Sequence, residues 1–111
     1  MQLLTEQIIT SLPELYATDG QPAEERAVVA KFFLPETRLT WYALEGRREP
    51  DGDWLFFGFV ESPLGADCDE LGYFLLSELA GLRSPRFGLP VERDLHWDAA
   101  TTLAAVQGRA A

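Results

Sequence analysis

Two strand-like runs flank a strong turn, and this hairpin constrains the fold more than any other part of the chain. Thr40 to Arg47 alternates in strand fashion, with Trp41, Ala43 and Glu45 expected on one face and Tyr42, Leu44 and Gly46 on the other. Glu49-Pro50-Asp51-Gly52 follows, a cluster of residues that favour turns. Trp54 to Glu61 then carries WLFFGFV, apolar enough to be buried on or near both faces. The two runs are expected to pair antiparallel.

The flanking segments supply further elements. Leu4, Ile8, Ile9, Leu12, Leu15 and Tyr16 recur at helical spacing, which predicts a helix over residues 5–18. Thr5 is its expected N-cap, with Leu4 and Ile9 as a hydrophobic staple, and Ser11 with Glu14 restarts the turn past Pro13. QPAEER, residues 21–26, reads as a connecting loop. Val28 to Leu34 and Gly72 to Leu76 read as strands. Ser77 is expected to cap a short helix from Glu78 to Leu82, and Val91 to Trp97 is expected as the last strand. Asp98 is expected to cap a closing helix that runs to Gln107, before Gly108. Helices at both ends of a run of strands give an α+β fold: a small, mainly antiparallel sheet of four to five strands in one domain over residues 1–111.

The chain has 111 residues and a net charge of −9, from eighteen carboxylates against nine bases. That length supports a real core without metal or disulfide staples. With 47% apolar residues it is not a disordered sequence. The charge repels phosphate backbones and anionic membrane, so direct nucleic-acid or membrane binding is not expected. A single cysteine, Cys68, no secretory pattern at the start and no long apolar run give a cytoplasmic protein as the expectation. Eight acids fall between Glu45 and Glu70, opposed there only by Arg47 and Arg48. Such a cluster suits a basic or DNA-binding protein partner, either by plain attraction or by imitating a phosphate backbone.

Several motifs occur in a recognisable order: Phe32-Phe33 with Pro35, Thr40-Trp41-Tyr42, Phe57-Gly58, Glu70-Leu71-Gly72-Tyr73-Phe74, Ser77-Glu78-Leu79, and GLPVERDLHW from Gly88 to Trp97. Together they resemble the domain of unknown function 2958 family, over nearly the whole chain. The resemblance implies a small bacterial protein of plasmids and integrative elements, found near conjugation or anti-restriction genes. It implies no catalytic residue.

Chemistry has few places to reside. On a strand, Glu92, Asp94 and His96 share one face, but Glu92 and His96 attach about 13 Å apart, too far for one ion to take all three. Asp94 and His96, the only histidine, form the candidate pair for a small metal-dependent hydrolase, with a third ligand from elsewhere such as Glu45 or Glu78. Arg93 falls on the opposite, core-facing side, where it needs a carboxylate or several carbonyls. An ion pair with Glu78, Glu70 or Glu45 is expected, Glu78 foremost. Asp67-Cys68-Asp69-Glu70 lacks the alternate ligands and turn glycine of a calcium loop. No phosphate-binding glycine motif is present, so no cofactor is implied.

Aromatics are numerous for so small a sheet, and two short helices cannot cover both of its faces. Trp41, Tyr42 and Trp54, with Glu45, Glu49, Asp51 and Asp53, are the expected partner surface. The functional expectation is a non-enzymatic accessory protein acting by protein–protein contact, monomeric or a weak homodimer. The alternative is the hydrolase built on Asp94 and His96.

Overall fold

In the computed structural model, which describes residues 1–110, a short helix opens the chain. Thr5 caps α1 (Glu6–Ser11): its backbone is extended and its Oγ1 accepts from the Ile8 N–H at 3.2 Å. Leu4 and Ile9 lie in one apolar cluster, as a staple requires. The helix is shorter than the expected 5–18. Leu12 is already extended ahead of Pro13, and the Ser11 hydroxyl turns back to the Gln7 carbonyl instead of pairing with Glu14. Residues 15–20 form turns instead, and the Pro13 carbonyl accepts from the Gly46 N–H at 3.0 Å.

Five strands form one antiparallel sheet: β1 (Ala30–Phe33), β2 (Thr40–Arg48), β3 (Trp54–Glu61), β4 (Glu70–Leu75) and β5 (Glu92–Arg93). Their order is β4-β3-β2-β1-β5, so the first four make a meander and β5 returns beside β1. The hairpin forms as expected, from Arg48 opposite Trp54 to Thr40 opposite Glu61. Its turn places Gly52 at φ +91°, a conformation that suits glycine.

One irregularity inside the hairpin redirects a key side chain. Ala43 lies opposite Gly58 while Glu45 lies opposite Phe57, so Leu44 is an extra residue in β2. Past this bulge the alternation flips. Glu45 therefore shares the face of Tyr42 and Leu44, not that of Trp41 and Ala43 as strict alternation predicts. Gly58 makes the bulge possible, since a Cβ there would sit 1.9 Å from the Tyr42 carbonyl oxygen.

The later elements also depart from expectation. β4 begins at Glu70, two residues early, and α2 (Leu76–Gly81) follows it directly. Ser77 lies inside the first turn of α2; the cap comes from Asp53 across the hairpin, which accepts from the Ser77 N–H at 3.1 Å and from its hydroxyl. The strand expected from Val91 to Trp97 pairs only over Glu92–Arg93, because Asp94 to Trp97 turn away. Asp98 makes a turn, accepting from the Ala100 N–H, while Thr102 accepts from Ala105 at the start of α3 (Leu103–Ala110). Gly108 lies within α3 and does not end it.

Each face of the sheet packs its own apolar layer. Phe32, Trp41, Ala43, Phe56 and Phe74 meet Leu4, Ile8, Ile9 and Leu12 at the N-terminus and Leu76 and Leu79 of α2. On the opposite face Tyr42, Leu44 and Phe59 meet Leu103 and Val106 of α3, with Trp97. The architecture is α+β, with α1 and α2 on one face and α3 on the other. No helix among the described residues is long and apolar enough to cross a membrane.

Candidate functional site

The closing segment is a turn at the edge of the sheet. Asp94 N–H bonds the Lys31 carbonyl, and the Asp94 carboxylate then accepts from the His96 N–H at 2.9 Å. Its other oxygen faces Lys31 Nζ at 3.9 Å. Lys31 in turn lies over the Tyr42 and Trp97 rings, each centroid 5.9 Å away. Trp97 has crossed to the α3 face, where Nε1 donates to the Val28 carbonyl at 2.8 Å. Glu92, Asp94 and His96 thus do not line one strand face. A cleft of about 280 Å³ opens beside α1, lined by Thr5, Ser11, Arg93, Asp94 and Trp97, but His96 projects elsewhere and is exposed. Among the described residues, no three His, Cys, Asp or Glu side chains stand where they could hold a metal ion.

Arg93 does turn to the core-facing side, opposite Phe32, yet it makes no ion pair with Glu78. Its guanidinium donates to the Gln2 carbonyl, with the Leu3 carbonyl at 3.4 Å, so carbonyls of the N-terminal segment meet its need. Glu78 accepts from the Leu75 N–H at 3.2 Å and serves the start of α2. The buried ion pair of this fold joins Arg26 to Glu45 at 3.2 Å, both nearly inaccessible. Nothing local marks Arg26 as buried, because QPAEER has no periodicity that singles out one side chain.

Glu45 is the hub of this region. Burial works against its charge, but the Thr18 hydroxyl, the Tyr16 and Thr18 N–H groups and Arg26 outweigh that and hold its pKa below the usual carboxylate value. Tyr16 pays for this with φ +72°, unusual for a tyrosine, and its ring is left exposed.

The expected partner surface at the hairpin is largely committed to the fold. Trp41, Tyr42 and Glu45 are buried. Glu49 faces Arg47 at 3.3 Å, and Asp51 accepts from the Asp53 N–H. Asp53 is held below the usual carboxylate pKa chiefly by the Ser77 hydroxyl. Asp69 is held low by Arg38, which grips both its oxygens and also reaches Glu61 at 3.7 Å. Tyr42 donates to Glu61 as well. Of the eight acids from Glu45 to Glu70, six carboxylates have a hydrogen-bond or ion-pair partner among the described residues, Asp67 and Glu70 being the two without. Trp54 alone of the three hairpin aromatics keeps solvent contact, beside a groove of about 510 Å³ that Ile9, Leu12 and Leu15 also line.

A different surface stands open. α3 and the residues packed with it bury Tyr42 and Leu44 of β2 and Phe59 of β3 on this face, and leave its β4 margin open. There Leu71, Tyr73 and Tyr16 are 40, 53 and 64% exposed. Tyr73 packs on Phe57, ring centroids 5.1 Å apart, and its hydroxyl donates to that of Tyr16 at 3.3 Å. That bond, with burial and the nearby charges of Glu45 and Asp19, raises the Tyr73 pKa. Asp19 is exposed beside it, and Glu70 is exposed at the start of the same strand. The sequence carried a signal for this surface: ELGYFL is the last strand of a meander, and a last strand lies at an edge.

A family model described as "Protein of unknown function (DUF2958)" matches residues 3–111. The chain belongs to that family. Searches of curated proteins and of solved structures find no match. The DUF2958 motifs therefore gain a physical meaning here from their places in the fold. Phe57-Gly58 is the bulge partner, Glu70 to Phe74 is the edge strand, and GLPVERDLHW wraps the opposite edge.

Proposed function

We propose that this DUF2958 protein is a non-enzymatic accessory protein of mobile genetic elements that acts by binding a basic protein partner. The observation that carries this is the uncovered aromatic surface of Tyr16, Leu71 and Tyr73 on a strongly acidic molecule. Exposed aromatics on a rigid sheet supply contact area at small entropic cost, and surrounding carboxylates steer a basic partner towards them. Tyr16 is held in place by the buried Glu45 cluster, so the surface is formed before binding. The mobile-element setting comes from the family resemblance.

Imitation of nucleic acid receives less support, because six of the eight clustered acids have partners within the fold. The hydrolase alternative on Asp94 and His96 has no observation in its favour, since Asp94 is engaged by its own turn and by Lys31.

The test is affinity purification of the tagged protein from its host at low and high salt, beside a Leu71→Ser/Tyr73→Ser variant. Wild type is expected to retain a basic protein at low salt and release it at high salt, and the variant to retain none. Equal retention by both proteins would remove the proposal. Stoichiometric divalent metal in the purified protein, lost on His96→Ala, would favour the hydrolase instead.

A further inference from the structure

β4 ends the sheet, and only its β3 side is paired. In an antiparallel ladder, successive residues alternate between directing their N–H and C=O groups at the neighbour and directing them away. The Leu75 N–H is directed away from β3, because it donates to Glu78. By alternation the N–H and C=O groups of Leu71 and Tyr73 face the open edge too. Edge strands are commonly guarded by lysine, proline or a bulge. Glu70–Leu75 has no lysine and no proline, and its register with β3 is unbroken.

The two faces of this edge differ in chemistry. Residues opposite one another share a face, so Glu70, across from Val60, lies with Gly72 and Phe74 on the α1–α2 side. Leu71 and Tyr73 lie on the α3 side. A Cβ at Gly72 would meet nothing within 4 Å and its φ is ordinary, so the chain's own packing does not require a glycine there. Bare backbone is thus left between Glu70 and Glu78, the carboxylates at the two ends of the strand. A second copy of this chain, itself at −9, would bring like charge to that edge.

We infer that the β4 edge takes an extended segment of a basic protein as a sixth strand. Apolar side chains of that segment lie over Leu71 and Tyr73, and its alternate lysines or arginines lie over Gly72, between Glu70 and Glu78. This is the strand-addition mode, in which main-chain bonds give affinity and alternate side chains give specificity. It rests on the proposal that this side of the molecule binds a protein, and it names the partner's conformation and pattern.

The probe is an acetylated, amidated seven-residue peptide alternating lysine with valine, added to the full chain. Amide exchange at Leu71 and Tyr73 is expected to slow about tenfold or more on binding, and added salt to weaken the complex. Leu71→Pro removes an outward N–H without touching the β3 ladder, so it should bind about tenfold more weakly than Leu71→Ala. Thermal melting of both variants establishes that they fold, and the exchange measurement on the unaltered chain is independent of them. No binding at millimolar peptide, unchanged exchange at Leu71 and Tyr73 in the complex, or equal affinities of the two variants would overturn the inference. So would concentration-dependent protection of these amides in the free protein with sedimentation as a dimer, since a second copy would then hold the edge. A host partner lost with Tyr73→Ser but bound equally by Leu71→Pro and Leu71→Ala would sink strand addition alone. A partner indifferent to all three substitutions would sink the surface with it.

Discussion

Glu45 matters to this fold in a way its place among hairpin acids conceals. Its carboxylate accepts from Tyr16, Thr18 and Arg26, tying the turns after α1 and the loop before β1 to the centre of the sheet. Breaking a buried pair leaves an uncompensated charge, so Glu45→Ala is expected to destabilise by about 3–5 kcal/mol, measured by urea unfolding. A loss below about 1 kcal/mol would contradict the burial described. The two glycines facing each other across β3 and β4 should behave oppositely. Gly58→Ala drives a methyl into the Tyr42 carbonyl and should cost about 3 kcal/mol or more. Gly72→Ala meets open space and should stay within about 0.5 kcal/mol in the same assay.

Among the elements, α2 depends on a residue from the hairpin. Asp53 accepts from both the backbone and hydroxyl of Ser77, so Asp53→Ala should speed amide exchange through α2 and lower the unfolding midpoint more than Asp51→Ala does. Equal effects would contradict the cap. This cap shows why part of the fold was legible in sequence and part was not. The hairpin, the Thr5 cap and the α+β order follow from patterns local to a few residues. The Asp53–Ser77 bond joins residues 24 positions apart, and Ser77 before a helical run mimics an N-cap that tertiary contact displaced. Likewise the Leu44 bulge depends on Gly58 from another strand, and it moved Glu45 to the other face. Val91 to Trp97 has strand-like alternation, but β1 offers it only two paired positions before Asp94 caps its own turn. The candidate site suffered most. Which aromatics remain exposed depends on how far α3 reaches across the sheet, and no local pattern encodes that.

At the scale of the whole molecule, three carboxylates with lowered pKa set the response to acid. Glu45, Asp53 and Asp69 each hold their charge more firmly when folded than when unfolded. Their contribution is complete above the ordinary carboxylate pKa of about 4 and is lost as pH falls through the lower folded values. Urea midpoints should therefore be flat with respect to these groups from neutral pH to about 5 and fall steeply below about 4. Glu45→Gln should make that fall shallower. The molecule is acidic, and its Tyr16–Leu71–Tyr73 surface lies at the far edge of the sheet from GLPVERDLHW. Where a partner binds decides between these two edges. The measurement is amide hydrogen exchange across the chain, with and without the protein captured from its host. Protection centred on Leu71, Tyr73 and Tyr16 is the predicted result; protection centred on Asp94 to Trp97, with β4 unchanged, would contradict the account.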